Sequence, residues 1–105
     1  MVASATHCVS TGDACLAHCI TMLGTGDKEL ADCAKTVQDL VAACNALAVL
    51  AAANSPHLPK FAAVVAEICT DCETECKKHD KHKVCRDCGS ACAQCAKECQ
   101  TVVGA

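Results

Sequence analysis

The sequence predicts an all-α protein, an up-down-up-down antiparallel four-helix bundle with a cysteine-lined core. Three observations carry this prediction. Turn-forming residues cut the chain at three well-separated places. The pieces between them are roughly 20 to 25 residues long and rich in Ala, Leu, Glu and Lys, which form helices readily. Within each piece the cysteines recur at helical spacing.

The first helix spans about residues 4–23 and stops at Gly24-Thr25-Gly26-Asp27, where glycine suits a helix C-terminus. The second runs from about 27 to 53. Asp27 and Glu29 place negative charge at its positive end. Asn54-Ser55-Pro56 makes the next break, with Ser55 as N-cap and Pro56 at the first helical position of a helix over 56–78. Lys77-Lys78-His79-Asp80 ends it with cations on a C-terminus. The fourth helix covers about 81–102, and Gly104 closes it. Short connections make successive helices antiparallel neighbours. The length fits one domain over residues 1–105.

Composition narrows the function classes. Thirteen of 105 residues are cysteine, there is no Trp or Tyr, and Phe61 is the lone aromatic. An apolar content of 52% argues against disorder. A net charge of -3 without stacking aromatics argues against nucleic-acid binding. The most apolar stretch, Leu40 to Ala53, is 14 residues long and carries Asn45, short of the roughly 20 needed to cross a membrane. The segment Met1-Val-Ala-Ser-Ala-Thr-His has neither a basic nor an apolar leader region. As it stands, the chain is expected in the cytosol, or in an exported setting if a leader has been removed.

The spacings give the cysteines a direction. Cys85, Cys88, Cys92, Cys95 and Cys99 advance in steps of 3, 4, 3 and 4, and Cys69, Cys72 and Cys76 in steps of 3 and 4. Cys8, Cys15 and Cys19 advance by 7 and 4, and Cys33 and Cys44 lie 11 apart. At about 3.6 residues per turn each set stays on one narrow face, the face a bundle turns inward. Val37, Leu40, Val41 and Val65 fill seam positions without cysteine, and Leu47, Leu50, Leu58 and Phe61 pack the far end.

Heights follow from a rise of about 1.5 Å per residue, counted from the turns near residues 25 and 80. Cys76 and Cys85 come first at roughly 6–8 Å, then Cys19, Cys33, Cys72 and Cys88 at about 10–12 Å. Cys15, Cys69 and Cys92 follow at about 16–18 Å, Cys95 alone near 22 Å, and Cys8, Cys44 and Cys99 at about 26–28 Å.

A column of thiols admits several readings. Buried cysteine can serve as a small hydrophobe, yet a core of thiols packs worse than one of Leu and Ile. Disulfides need Cα atoms within roughly 7 Å, whereas facing helix axes stand about 8–10 Å apart. Thirteen is also odd. A thiol oxidoreductase needs one reactive pair rather than thirteen thiols. Among metals, zinc takes four thiolates, usually from turn-borne knuckles. Iron–sulfur clusters favour loop-borne runs that are missing here. Cu(I) is soft and is satisfied by two or three thiolates, which i, i+4 pairs such as Cys15/Cys19, Cys72/Cys76, Cys88/Cys92 and Cys95/Cys99 supply. The reading is a non-enzymatic store of multiple Cu(I) ions, with a zinc or mixed soft-metal buffer and a disulfide-stapled structural bundle as alternatives.

The segments His7-Cys8 through Asp13-x-Cys15-x-x-His18-Cys19, Asp39-Leu-Val-Ala-Ala-Cys44 and Cys85-x-x-Cys88-Gly-x-x-Cys92-x-x-Cys95 resemble those of the bacterial copper storage proteins, over nearly the whole chain. The resemblance implies many Cu(I) ions held mainly by cysteine inside the bundle, and a homotetramer. It implies exported members with about this many cysteines and cytosolic members with more. It also implies soft ligands at the open mouth, which His18 and Met22 match. Thr25 and Leu30 stand near the places of further methionines. His79 and His82 are expected in a solvated junction, and His7 and His57 on the surface. A physiological copper donor or acceptor is not named by these features.

Overall fold

The computed structural model describes residues 1–103. Gly104, expected to close the last helix, lies outside them. Four helices follow one another: α1 Val2–Gly24, α2 Ala31–Ala52, α3 Leu58–Lys77 and α4 Lys83–Val103. Each packs on the two beside it in the ring α1–α2–α3–α4, and across the diagonals core side chains meet, as Cys15 of α1 does Cys76 of α3. The result is the expected antiparallel bundle, 45 × 19 × 17 Å.

The helix ends show how the sequence sets these bounds. After α1 the Gly26 N–H reaches the Leu23 carbonyl, and the Asp27 N–H reaches that of Met22, both at 3.1 Å. This reversal needs a left-handed residue, and Gly26 supplies it at φ 90. The second reversal repeats the pattern. Asn54 and Ser55 donate to Ala51 and Leu50 at 3.2 and 3.0 Å, and Asn54 takes φ 52. Asparagine is among the few side chains that accept this conformation.

Three helix starts fall later than expected. α2 begins at Ala31 rather than near residue 27, because the Asp27 carboxylate accepts the Glu29 N–H at 2.9 Å and closes a turn. Leu30 follows as N-cap and is fully buried. α3 begins at Leu58, capped at His57, rather than at Pro56. Ser55 Oγ accepts the His57 N–H at 3.1 Å in a preceding turn, and Pro59 occupies the first helical turn instead. α4 starts two residues later than expected, after a turn in which the His82 N–H reaches the His79 carbonyl at 3.0 Å.

The core is built from small side chains. Of the 24 buried core residues described, 13 are cysteines, and the large aliphatics are Leu30, Val37, Leu40, Leu47 and Val65. The buried residues of α4 are cysteines, alanines and Gly89. At the end away from residues 25 and 80, Leu47 is buried, while Leu58 and Phe61 pack against it half-exposed. Gly12 lets α1 settle on α2: a Cβ there would lie 2.8 Å from Val41 Cγ2. By length and composition α2 is apolar enough to cross a membrane. In the bundle its apolar positions Cys33, Val37, Leu40, Cys44 and Leu47 face the core.

Candidate metal centre

All thirteen cysteines are buried and free. Helical phase puts them there: the cysteines of each helix share its inward face, while charged and other polar residues such as Asp71, Glu73, Asp87 and Lys97 take the outer one. Three sets of three bring their sulfurs within 4.8 Å of one another: Cys15, Cys33 and Cys76; Cys72, Cys88 and Cys92; Cys8, Cys44 and Cys95. Every set draws on more than one helix, so the bundle must be assembled before any of them exists.

The sets are linked. Cys15 Sγ stands 3.9 Å from Cys33 and 3.7 Å from Cys85. Cys33 and Cys76 are 4.0 Å apart. Cys72 bridges to the next layer, 3.9 Å from Cys76 and 4.0 Å from Cys88. Cys92 continues to Cys8. Cys69 adjoins Cys44, Cys8 and Cys95, and Cys99 adjoins Cys95. Cys19 extends the column upward beside Cys15 and Cys33. The Cys8 sulfur also lies 3.1 Å from the Ala91 carbonyl oxygen.

This order differs from the heights counted along the sequence. Cys15 meets Cys33 and Cys76 rather than lying a layer below them, and Cys95 sits with Cys8 and Cys44 rather than alone. The count assumed that both turns lie level. Instead α1 overshoots: His18, six residues before its end, already faces His82 at the start of α4.

Electrostatics divide the thiols. S–H groups of Cys44, Cys69 and Cys92 donate to Cys8 and bring it down to about 5. Cys15 and Cys33 bring Cys76 down to about 5, and Cys33 brings Cys15 to about 7. Neighbouring thiols likewise lower Cys72 and Cys95. Desolvation, with neighbouring thiolates, pushes Cys19 and Cys85 up to about 12. Adjacent sulfurs raise Cys33, Cys88 and Cys92. Each set of three thus contains a thiol favoured as thiolate and one held as a donor to it. Such a core offers a soft cation a negative sulfur without carrying thirteen buried charges.

At the mouth, His18 Nε2 and His82 Nδ1 are 3.0 Å apart, with tilted rings 4.9 Å between centroids. Met22 packs half-buried against the core nearby on α1. His79 and His82 correct the expectation of a solvated junction. His79 is only 8% exposed. Its Nε2 lies 3.0 Å from Glu75, and its Nδ1 3.7 Å from Glu29. His82 Nε2 is buried with no hydrogen-bond partner. The signal was present in the spacing, because His82 lies three residues before Cys85 and prolongs the α4 stripe. His7 and His57 are exposed as expected.

Sets of three sulfurs suit a trigonal soft metal better than tetrahedral zinc. The sequence matches the copper storage protein family over residues 1–104. The chain belongs to that family. Its relatives include the uncharacterized cysteine-rich protein YhjQ of Bacillus subtilis strain 168. That protein is 36% identical over 98 residues, covering 90% of this chain and 88% of YhjQ. The Cu(I)-bound copper storage protein BsCsp3 superposes with a TM-score of 0.89 at 26% identity, over 97% of this chain and 93% of that one. The apo form of copper storage protein 3 from Bacillus subtilis gives 0.85 at 26% identity, over 97% and 94%. Copper-bound and metal-free storage proteins therefore both share the bundle described here.

Proposed function

We propose that this copper storage family member holds many Cu(I) ions on the thiolates of its thirteen cysteines, without catalysing a reaction. The observation that carries the reading is the unbroken column of buried sulfurs, with neighbouring thiols 3.7 to 4.0 Å apart where they touch. Cu(I) bridges sulfurs at such separations with small adjustments, and shared thiolates reduce the negative charge left on each unit. His18 and Met22, at the thiol-rich end, serve as soft mouth ligands that pass copper inward. The four helices act as one storage domain.

Copper binding of this kind needs reduced thiols, which a reducing compartment maintains. Exposed Ile20, Val49 and Val64 support burial of these side chains in a homotetramer. Anaerobic titration of the reduced protein with Cu(I) against a competing chelator tests storage. Uptake of about one copper per cysteine, or slightly less, is expected. Saturation at two to four ions, or stronger retention of Zn(II), would overturn it.

A further inference from the structure

Hydroxyl side chains recur on the outer faces of the helices. Thr6, Thr21 and Thr74 each donate to a carbonyl of their own helix from an exposed position, at 2.8 to 3.0 Å. Thr36 of α2 makes a similar bond, to the Cys33 carbonyl at 3.0 Å, but is half-buried. It faces α3: with Asp39 it lines a cavity of about 50 Å³ against Ile68 and Asp71. Cys72 comes one turn after Ile68 and directly after Asp71, and its sulfur is a hydrogen-bond partner of the Thr36 hydroxyl. Cys33 belongs with Cys15 and Cys76, and Cys72 with Cys88 and Cys92. One side chain thus touches the backbone of a cysteine in one set of three and the sulfur of a cysteine in the next.

We propose that Thr36 is a positioning residue of the store, whose hydroxyl fixes the Cys72 sulfur where it serves copper in both sets. The inference rests on the storage reading. Cys72 stands 3.9 Å from Cys76 and 4.0 Å from Cys88, so a rotation of its sulfur lengthens one separation or the other. A cysteine sulfur has three staggered positions about its side-chain torsion. Its sulfur neighbours on α3 and α4 are thiols, weak hydrogen-bond partners that select poorly among those positions.

The Thr36 hydroxyl approaches from a third helix and is a stronger partner, with one donor and two acceptor lone pairs. While Cys72 is a thiol, the donor serves the Cys33 carbonyl and the oxygen accepts the Cys72 S–H. With Cys72 as thiolate, bare or copper-bound, the hydroxyl turns its hydrogen toward the sulfur. The Cys33 carbonyl stays satisfied, because inside α2 it also accepts the N–H four residues on. A hydrogen bond from outside the ligand set holds the direction of a shared thiolate and relieves its charge.

The test compares the full chain with Thr36→Val, Thr36→Ser and Thr74→Val under anaerobic conditions. Valine keeps the branched shape and removes the hydroxyl, whereas serine keeps the hydroxyl and loses the methyl. Circular dichroism and a urea midpoint establish that each reduced apo protein is folded. Copper per chain is then measured at saturation, and affinity by competition with a chromogenic Cu(I) chelator. Thr36→Val should fill to the same copper per chain but hold its ions about tenfold less tightly, and Thr36→Ser should stay within about threefold of the parent. Thr74→Val, which removes an exposed hydroxyl, should match the parent. A role in packing alone would follow the methyl and weaken the serine variant instead. Should the valine variant fail to fold, Thr36→Ala against Thr36→Ser repeats the contrast. Parent-like affinity in Thr36→Val, or a serine variant as weak as the valine one, would overturn the proposal. Low copper per chain in the parent would count against storage, independently of Thr36.

Discussion

Cys72 links two sets of three, its sulfur 3.9 Å from Cys76 and 4.0 Å from Cys88. Cys99 sits at the end of the column, beside Cys95. Exchanging either for serine removes one thiolate, but only the first interrupts the chain of sulfurs. Cys72→Ser is expected to bind about two copper ions fewer and Cys99→Ser at most about one, as read by competitive Cu(I) titration. Equal losses would show that the sulfurs act independently. The histidines give a second contrast. His18→Ala and His82→Ala should slow uptake several-fold in stopped-flow loading while leaving copper per chain unchanged. His82 joins the prediction because its Nε2 is buried without a partner and its Nδ1 meets His18.

At the scale of the helices, close packing and loop geometry make separate demands on glycine. Gly12→Ala gains up to about 1 kcal/mol of helix propensity but drives a methyl into Val41, so a net loss of about 1 kcal/mol is expected in urea unfolding. Gly26→Ala should cost about 1 kcal/mol, because the left-handed backbone at φ 90 persists.

The same elements show what the sequence carried and what it did not. Phase was legible, since a repeat of 3 and 4 admits one inward face and the thirteen cysteines all follow it. The break at Gly24 to Asp27 was legible for the same reason that Gly26 caps α1. Relative height was not. It depends on how far α1 overshoots its neighbours and on the turn that Asp27 makes with Glu29, neither of which appears in the spacing within a helix. His79 was misjudged because its partners, Glu75 and Glu29, come from two different segments.

For the molecule as a whole, proton release sets the response to pH. Cys19 and Cys85 titrate at about 12 and stay protonated near neutrality, so each copper they take must displace a proton. Affinity for those ions should rise between pH 6 and pH 8 by up to tenfold per unit for each such thiol. Cys8 and Cys76 titrate at about 5, already thiolates in that range, and add no slope. Chelator competition at several pH values measures the difference.

The metal-free fold shows the opposite limits. A depressed thiol such as Cys8 contributes stability that is fully present above its ordinary value of 9.0 and lost as pH falls through about 5. Raised Cys19 costs stability as pH climbs from 9.0 toward about 12. Denaturant midpoints of the reduced apo protein should therefore peak near pH 9.0 and fall from there both toward about 5 and toward about 12. The assembled column gathers the thiols that an unfolded chain scatters, so loading should raise the thermal midpoint as occupancy rises.

The aliphatic end around Leu47, Leu58 and Phe61 has a bearing on how such proteins can vary. Successive thiol layers stand about one turn apart on α3, where Cys76 and Cys72 of adjacent sets are four residues apart, so storage capacity changes in whole layers, set by how many layers the helices devote to sulfur rather than to carbon. Each Leu or Val exchanged for Cys at that end extends the column, and each exchange removes roughly 1 kcal/mol of apolar burial from the metal-free fold. A variant with Leu47→Cys should hold more copper when full and unfold more easily when empty. Capacity and metal-free robustness are thus opposite ends of one adjustable boundary along the bundle axis, and this chain sets that boundary above Leu47.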